Sequence, residues 1–349
     1  MYCIIPVLKI ISMNMKMKIQ LLFIYISFFL LFANSCTQNN SFNGKSIDSL
    51  SVDEITTSLH EFPDDAALYF ARAKKYSFSG SIDEAIADMN QAILKKNLKP
   101  EYFILLADLH LMKGQSGNSR DALEKCIKEF PSNTEVLLRL AQLHFYVKQY
   151  KKSFEYLNRV QEIDPTIAQT YFIRGLVLEE AGDTTNAIIN FQISTEKNPD
   201  YYEAYIILGL RYADKKDSIA LDYYRNALKI KPKSAEAYYN IGLFYQSIEK
   251  FNKAIVSYNE LLEKADSTYK FALFNIGYIY MEYFKEYGKA IYYFQKANDA
   301  DIKYFQASYN LGLCYERLKD YKKAKELYRY TLSVEPGYEL AIQGLKRIR

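Results

Sequence analysis

Ala235-Glu236-Ala237-Tyr238-Tyr239-Asn240-Ile241-Gly242-Leu243-Phe244-Tyr245, followed by Lys253-Ala254-Ile255, is the clearest copy of a phrase that recurs along the 349-residue chain. Its eight variants begin at Ala66, Pro100, Thr134, Ala168, Tyr202, Ala235, Lys270 and Phe305, and the last ends near Tyr338. The spacing is 34 residues at first, then 33, 35 and 35 at the later joints. Copies of that length bury their apolar faces only against one another, which predicts a rod with an extended surface suited to binding.

The eighth residue of every copy is small: Ala73, Ala107, Ala141, Gly175, Gly209, Gly242, Gly277 and Gly312. Only a small side chain lets two helix backbones approach closely there. The eleventh is large: Tyr76, His110, His144, Leu178, Tyr212, Tyr245, Tyr280 and Tyr315. In the second half of each copy, a small residue such as Ala85, Ser153, Ala187 or Ala254 precedes by four a bulky one such as Met89, Leu157, Phe191 or Tyr258. Small-then-large at helical spacing describes one helix inserting into a neighbour's groove. Pro131, Pro165, Pro199, Pro232 and Pro336 mark the joints, while Gly80, Gly114 and Gly182 mark turns inside copies. Each copy is therefore expected to form helix, turn, helix, turn.

This pattern resembles the tetratricopeptide repeat, with its small eighth and twentieth residues and its closing proline, over residues 66–338. Asn97, Asp266 and Ile302 depart from the closing proline, and Ser119 from the usual alanine. The resemblance implies an all-α, right-handed superhelical solenoid of about eight helix-turn-helix units. Its concave face, lined by the first helix of each unit, would hold peptides or partner helices. Val52 to Glu61 and the segment from Glu339 to Arg349 are expected to be capping helices, since solenoid ends need a polar outer face.

The fifth residue of each copy is apolar: Phe70, Ile104, Leu138, Phe172, Ile206, Tyr239, Phe274 and Tyr309. Two readings stand evenly: a stripe on the groove floor that accepts a partner segment, or packing against the neighbouring unit. Asn240, Asn275 and Asn310 follow the stripe by one residue, and their amides offer donors and an acceptor for a peptide backbone. The candidate partner-binding set is Phe172, Tyr239, Asn240, Phe274, Asn275, Tyr309 and Asn310. The stripe contains no lysine, which argues against a clamp for a terminal carboxylate.

At the N-terminus, Lys16 and Lys18 precede an apolar run from Ile19 to Ala33, followed by Asn34-Ser35-Cys36. A helix over that run would measure about 22 Å, short of the roughly 30 Å hydrocarbon core. Residues 1–35 are thus expected to be a signal peptide, whose true initiator is one of Met13, Met15 and Met17. Ala33-Asn34-Ser35-Cys36 resembles a bacterial lipoprotein box, which implies acylation of Cys36 with palmitate-type chains and an anchored rather than spanning protein. Residues 36–47 are polar and predict a flexible tether to a capping segment over 48–65. By resemblance to the sorting rules of diderm bacteria, Thr37 behind the cysteine implies the outer membrane, with the domain facing the periplasm and surface exposure as the lesser alternative.

Without Lys9, Lys16 and Lys18, the 45 basic residues of the chain fall to 42 against 41 acidic ones. So balanced a body does not suit phosphate neutralisation, and no nucleic-acid partner is expected. Cys126 and Cys314 lie too far apart to pair, and His110 and His144 fill a slot held elsewhere by tyrosine, so packing rather than metal chemistry is expected. No Ser/His/Asp arrangement or phosphate-cradling glycine loop is present, and neither catalytic residues nor cofactors are expected. The favoured function is a lipid-anchored envelope scaffold that binds protein partners. The alternative is a glycan-binding accessory component, since the chain has 33 tyrosines to stack on sugars.

Overall fold

The computed structural model describes residues 41–42 and 45–348. The expectations for the signal peptide and Cys36 lie outside the described residues. A two-stranded antiparallel hairpin, β1 (Ser41–Phe42) with β2 (Lys45–Ser46), and a 3-10 turn over Ile47–Ser49 come first. Helices account for nearly all that follows: α1 (Val52–Glu61), α2 (Ala66–Ser79), α3 (Ile82–Leu94), α4 (Pro100–Met112), α5 (Ser116–Glu129) and α6 (Thr134–Tyr146). Then come α7 (Tyr150–Ile163), α8 (Ala168–Glu180), α9 (Thr184–Lys197), α10 (Tyr202–Asp214), α11 (Ile219–Ile230) and α12 (Ala235–Ser247). The last are α13 (Phe251–Lys264), α14 (Lys270–Ile279), α15 (Tyr287–Ala300), α16 (Phe305–Arg317), α17 (Tyr321–Val334) and α18 (Glu339–Arg347). The all-α class and the repeated helix pair are as the sequence leads one to expect. Two compact units make up the chain, Met1–Ala122 and Leu123–Arg349, with the division inside α5.

In the first unit α1 packs on α2 around Leu50, Ile55, Leu59, Leu68 and Ala71, all buried. Ser51 opens α1 with a reciprocal capping box: its hydroxyl accepts from the Glu54 amide while the Glu54 carboxylate accepts from the Ser51 amide. Arg72 on α2 ties three helices together. Its guanidinium donates to both Asp88 oxygens on α3, at 2.8 and 2.7 Å, and to the Thr56 hydroxyl on α1 at 3.0 Å.

Every helix pair closes in the same way. The residue that opens the second helix's cap donates its amide to the carbonyl of the eleventh residue: Ser81 to Tyr76, Gln115 to His110, Gln149 to His144, Asp183 to Leu178, Asp217 to Tyr212, Lys250 to Tyr245, Glu286 to Tyr280 and Asp320 to Tyr315. Seven of these are the six-to-one bond of a Schellman turn, which satisfies a carbonyl the helix leaves over, and the bond of Glu286 reaches one residue further. Each requires a left-handed residue just before the donor. Gly80, Gly114 and Gly182 supply it freely, whereas Lys148, Lys216, Glu249, Lys285 and Lys319 adopt it with φ between 54° and 64°. Tight turns without glycine are thus enforced by the pairing of the helices rather than by local preference.

The second unit shows why the eighth residue is small. A Cβ placed on Gly242 would sit 2.3 Å from Tyr258 Cε1, and one on Gly209 would sit 2.3 Å from Tyr224 Cε1. Gly175 faces Phe191, Gly277 faces Phe294 and Gly312 faces Tyr328 in the same manner. Where the facing residue is aliphatic, as Leu157 is, the small position is alanine, Ala141, and both are fully buried. Glycine and ring, or alanine and aliphatic chain, are two solutions to one volume. Gly242→Ala is therefore expected to destabilise by about 1–3 kcal/mol through overpacking, despite alanine's better helix propensity. Urea unfolding of Gly242→Ala beside Gly242→Ala/Tyr258→Leu checks this: the double variant should recover part of the loss, because the ring that collides is gone.

Length slips fall where this code is not disturbed. Between Gly277 and Lys285 lies one more residue than between Gly312 and Lys319, and the excess is taken up by a π-helical turn over Tyr280–Phe284 at the end of α14. The 33-residue copy instead shortens the approach to α11, where Ala220 follows the left-handed Lys216 more closely than Ala85 follows Gly80. At the far end, α18 buries Ala341 and Gly344, the latter against the Tyr328 ring, and Arg347 forks onto Glu316 at 2.9 and 3.0 Å.

Candidate partner-binding face

The fifth-residue stripe turns out to be joint packing. Phe172, 2 % exposed, lies with its ring centroid 5.7 Å from Phe191 of its own unit and 5.0 Å from Tyr201 at the start of the next. Phe274, 7 % exposed, sits likewise between Phe294 at 5.4 Å and Tyr304 at 5.3 Å. Tyr309, 6 % exposed, sits between Tyr328 at 5.6 Å and Tyr338 at 5.3 Å. Tyr239 fits between Tyr258 and Tyr269 and is half-buried, and burial pushes its phenol well above the ordinary range. The physical reason is the residue just ahead of each following first helix. Tyr201, Tyr269, Tyr304 and Tyr338 occupy that slot, and each closes a ring pair over the stripe.

The asparagines divide. Asn275 is buried and donates to the hydroxyls of Tyr258 at 3.1 Å and Tyr239 at 3.3 Å. Asn310 is buried and donates to the Gln306 carbonyl at 2.8 Å. Both amides thus serve packing instead of standing open in a ladder. Asn240 alone of the three is half-exposed.

On α10 and α12 an open line is formed by the second, ninth and thirteenth residues of the copy, whereas on α8 the ninth, Leu176, is buried. At 3.6 residues per turn these lie within about 40° of one another. On α10 they are Glu203, Leu210 and Asp214, and on α12 Glu236, Leu243 and Ser247. Leu210 and Leu243 are half-exposed, while Asp214, Glu236 and Ser247 are exposed. Neighbouring first helices are linked directly along this layer: Arg211 on α10 pairs with Glu179 on α8, and the Tyr202 hydroxyl on α10 donates to Glu236 on α12 at 3.1 Å.

Electrostatically the layer leans acidic. In the second unit the first helices, with the π turn, carry eight acidic and five basic residues, while the second helices carry eight acidic and fourteen basic ones. Burial raises the Glu179 carboxyl, opposed in part by Arg211 and reinforced by the charges of Glu180 and Asp214. Arg211 also pairs with Asp214 at 2.7 Å, and Lys231 with Glu203 at 3.3 Å. A helical-wheel reading of positions two, nine and thirteen would have found this line in the sequence.

The remaining chemistry-bearing side chains are packed. Cys126 and Cys314 are buried, and burial pushes the Cys314 thiol up to about 12. His110 and His144 each bond a glutamine at 2.8 Å through Nδ1, and His144 stacks on Tyr156 at 5.5 Å. Among the described residues no group of three or more His, Cys, Asp and Glu side chains is placed to hold a metal ion. No helix among them is long and apolar enough to cross a membrane.

The tetratricopeptide repeat family matches residues 134–167, 235–263 and 305–338, in register with three of the helix pairs. These three stretches are tetratricopeptide repeats. Among solved structures, the C-terminal part of a tetratricopeptide repeat-containing protein from Cytophaga hutchinsonii superimposes with a TM-score of 0.59 at 17% identity, covering 71% of this chain and 99% of that one. That likeness concerns the fold. Among characterised relatives, the BBSome complex member BBS4 of Bos taurus is 24% identical over 183 residues, which is 51% of this chain and 34% of the relative. The protein O-mannosyl-transferase TMTC3 of Homo sapiens is 26% identical over 192 residues, or 52% of this chain and 20% of the relative. The chain thus spans about a third or less of the length of these two relatives. Tetratricopeptide repeats point to a scaffold for protein–protein interaction and to protein or peptide partners.

Proposed function

We propose that the protein is a lipid-anchored scaffold of a bacterial cell envelope, not an enzyme, which gathers protein partners on the first-helix layer of its repeats. The observation that carries the binding half is the line of half-exposed leucines, Leu210 and Leu243, flanked by exposed polar side chains on neighbouring first helices. A partner segment can cover apolar area there without disturbing the joints. The anchoring half rests on the apolar run from Ile19 to Ala33 and on Cys36 behind it. Acylation at Cys36 would hold the chain at the membrane and leave the repeats, beyond the tether, to meet partners. A glycan-binding role draws no support from the stripe, where Tyr309 is buried and Tyr239 is wedged between rings.

Cross-linking in cells that express the full chain tests both halves. Leu210→Asp with Leu243→Asp is expected to remove the cross-linked partners while the far-UV helical signal and melting midpoint stay near wild type. Cys36→Ser should shift the chain from the membrane to the soluble fraction and abolish incorporation of a clickable palmitate analogue. Partners retained by the double leucine variant would refute the binding face, and label retained by Cys36→Ser would refute the anchor.

A further inference from the structure

Resting on the binding face proposed above, we infer that its occupant is a basic amphipathic segment, with one apolar side and lysines or arginines on both flanks. The layer made by α8, α10 and α12 has the complementary order. Leu210 and Leu243 run across the middle of their helices. Toward the helix starts lies Glu236, exposed, and toward the helix ends lie Glu180 and Asp214, both exposed. The ninth residue is about 10 Å from the second and about 6 Å from the thirteenth along a helix, so acid borders the apolar row on both sides at side-chain reach. Arg174 donates to Asn158 and Gln161 on α7, at 2.9 Å each, and Arg211 is shared between Glu179 and the rim carboxylate Asp214; Glu180, Glu203 and Glu236 leave these three helices with acids in excess. Three first helices at 8–10 Å spacing offer a track of roughly 20–25 Å, the length of about 15 helical residues. A basic segment gains attraction from both rims and loses little by desolvation, since the rim carboxylates stay exposed; an acidic one is repelled on both sides.

Fluorescence anisotropy with the full-length chain tests this. The probes are a fluorescein-labelled amphipathic Leu/Lys peptide of about 18 residues and a Leu/Glu twin of the same length and pattern. The Leu/Lys peptide is expected to bind, to weaken about tenfold when Glu180→Gln, Asp214→Asn and Glu236→Gln are combined, and to weaken as salt rises from about 50 to about 500 mM. Neutralising three exposed acids of the second helices, by Glu155→Gln, Glu196→Gln and Asp222→Asn, should change its affinity less than about twofold. The Leu/Glu peptide should not bind. Equal binding of the two peptides, or indifference to the first triple variant, would overturn the inference. Cross-linked partners that still depend on Leu210 and Leu243 would then show that the face stands while its charge preference falls; partners that do not depend on them would remove the face itself.

Discussion

Tyr258→Ala is expected to cost about 3–5 kcal/mol, the range for deleting a buried aromatic side chain. The ring is fully buried in α13 and fills the space left by the missing Cβ of Gly242. Its loss therefore opens a cavity against a glycine, which has no side chain of its own to fill it. The hydroxyl adds a second contribution. It donates to Gln246 Oε1 at 2.9 Å and accepts from Asn275 at 3.1 Å, which links α12, α13 and α14. Tyr258→Phe separates the two effects. It keeps the ring and deprives buried Asn275 of one acceptor, so a loss of about 1–3 kcal/mol is expected. Urea unfolding of both variants provides the check; equal losses would show that the hydroxyl, and not the volume of the ring, holds these helices together. Because repeat arrays are stabilised pair by pair, amide exchange should accelerate in α12 to α14 first.

Asp88→Ala should have a comparable effect in the first unit, also about 3–5 kcal/mol, because it strands a guanidinium that the fold has withdrawn from water. The side chain of Arg72 is 17% exposed and that of Asp88 7% exposed. The hydrogen bonding of the Arg72 guanidinium to the accepting Asp88 carboxylate is the chief influence raising the pKa of Arg72, against the opposing effect of burial. Asp88→Asn keeps the shape and one acceptor and should cost less. Replacing Arg72 and Asp88 together by Leu and Leu is expected to restore much of the stability, since an apolar pair can substitute for a buried ion pair. Thermal unfolding of the three variants distinguishes these outcomes, and a double variant as unstable as Asp88→Ala would show that the stranded charge is not the cause.

The repeat is legible in the sequence because its code is local and volumetric. Gly242 opposite Tyr258 and Ala141 opposite Leu157 can be recognised as small-against-large without any coordinates, and the closing prolines mark where helices must end. The fate of Phe172, Phe274 and Tyr309 is harder to see. Whether the fifth residue is open depends on the residue before the next first helix, and Tyr201, Tyr304 and Tyr338 lie outside the helical pattern that defines the stripe. The Arg72–Asp88 link is likewise hidden, since the two residues belong to different helices and no other copy carries an acid in the place of Asp88. The 35-residue spacing after Lys270 announces an extra residue, but only the backbone shows that a π turn absorbs it. The acidic bias of the first helices is present in the letters and emerges once the exposed line is known.

The turn closures bear on how the polypeptide acquires its shape. Each of these bonds joins amide and carbonyl groups only a few positions apart, and the helix each one ends packs chiefly on its immediate successor. A nascent chain emerging from a ribosome would therefore complete one hairpin after another, with no early segment waiting for a distant mate. Low contact order of this kind favours rapid folding.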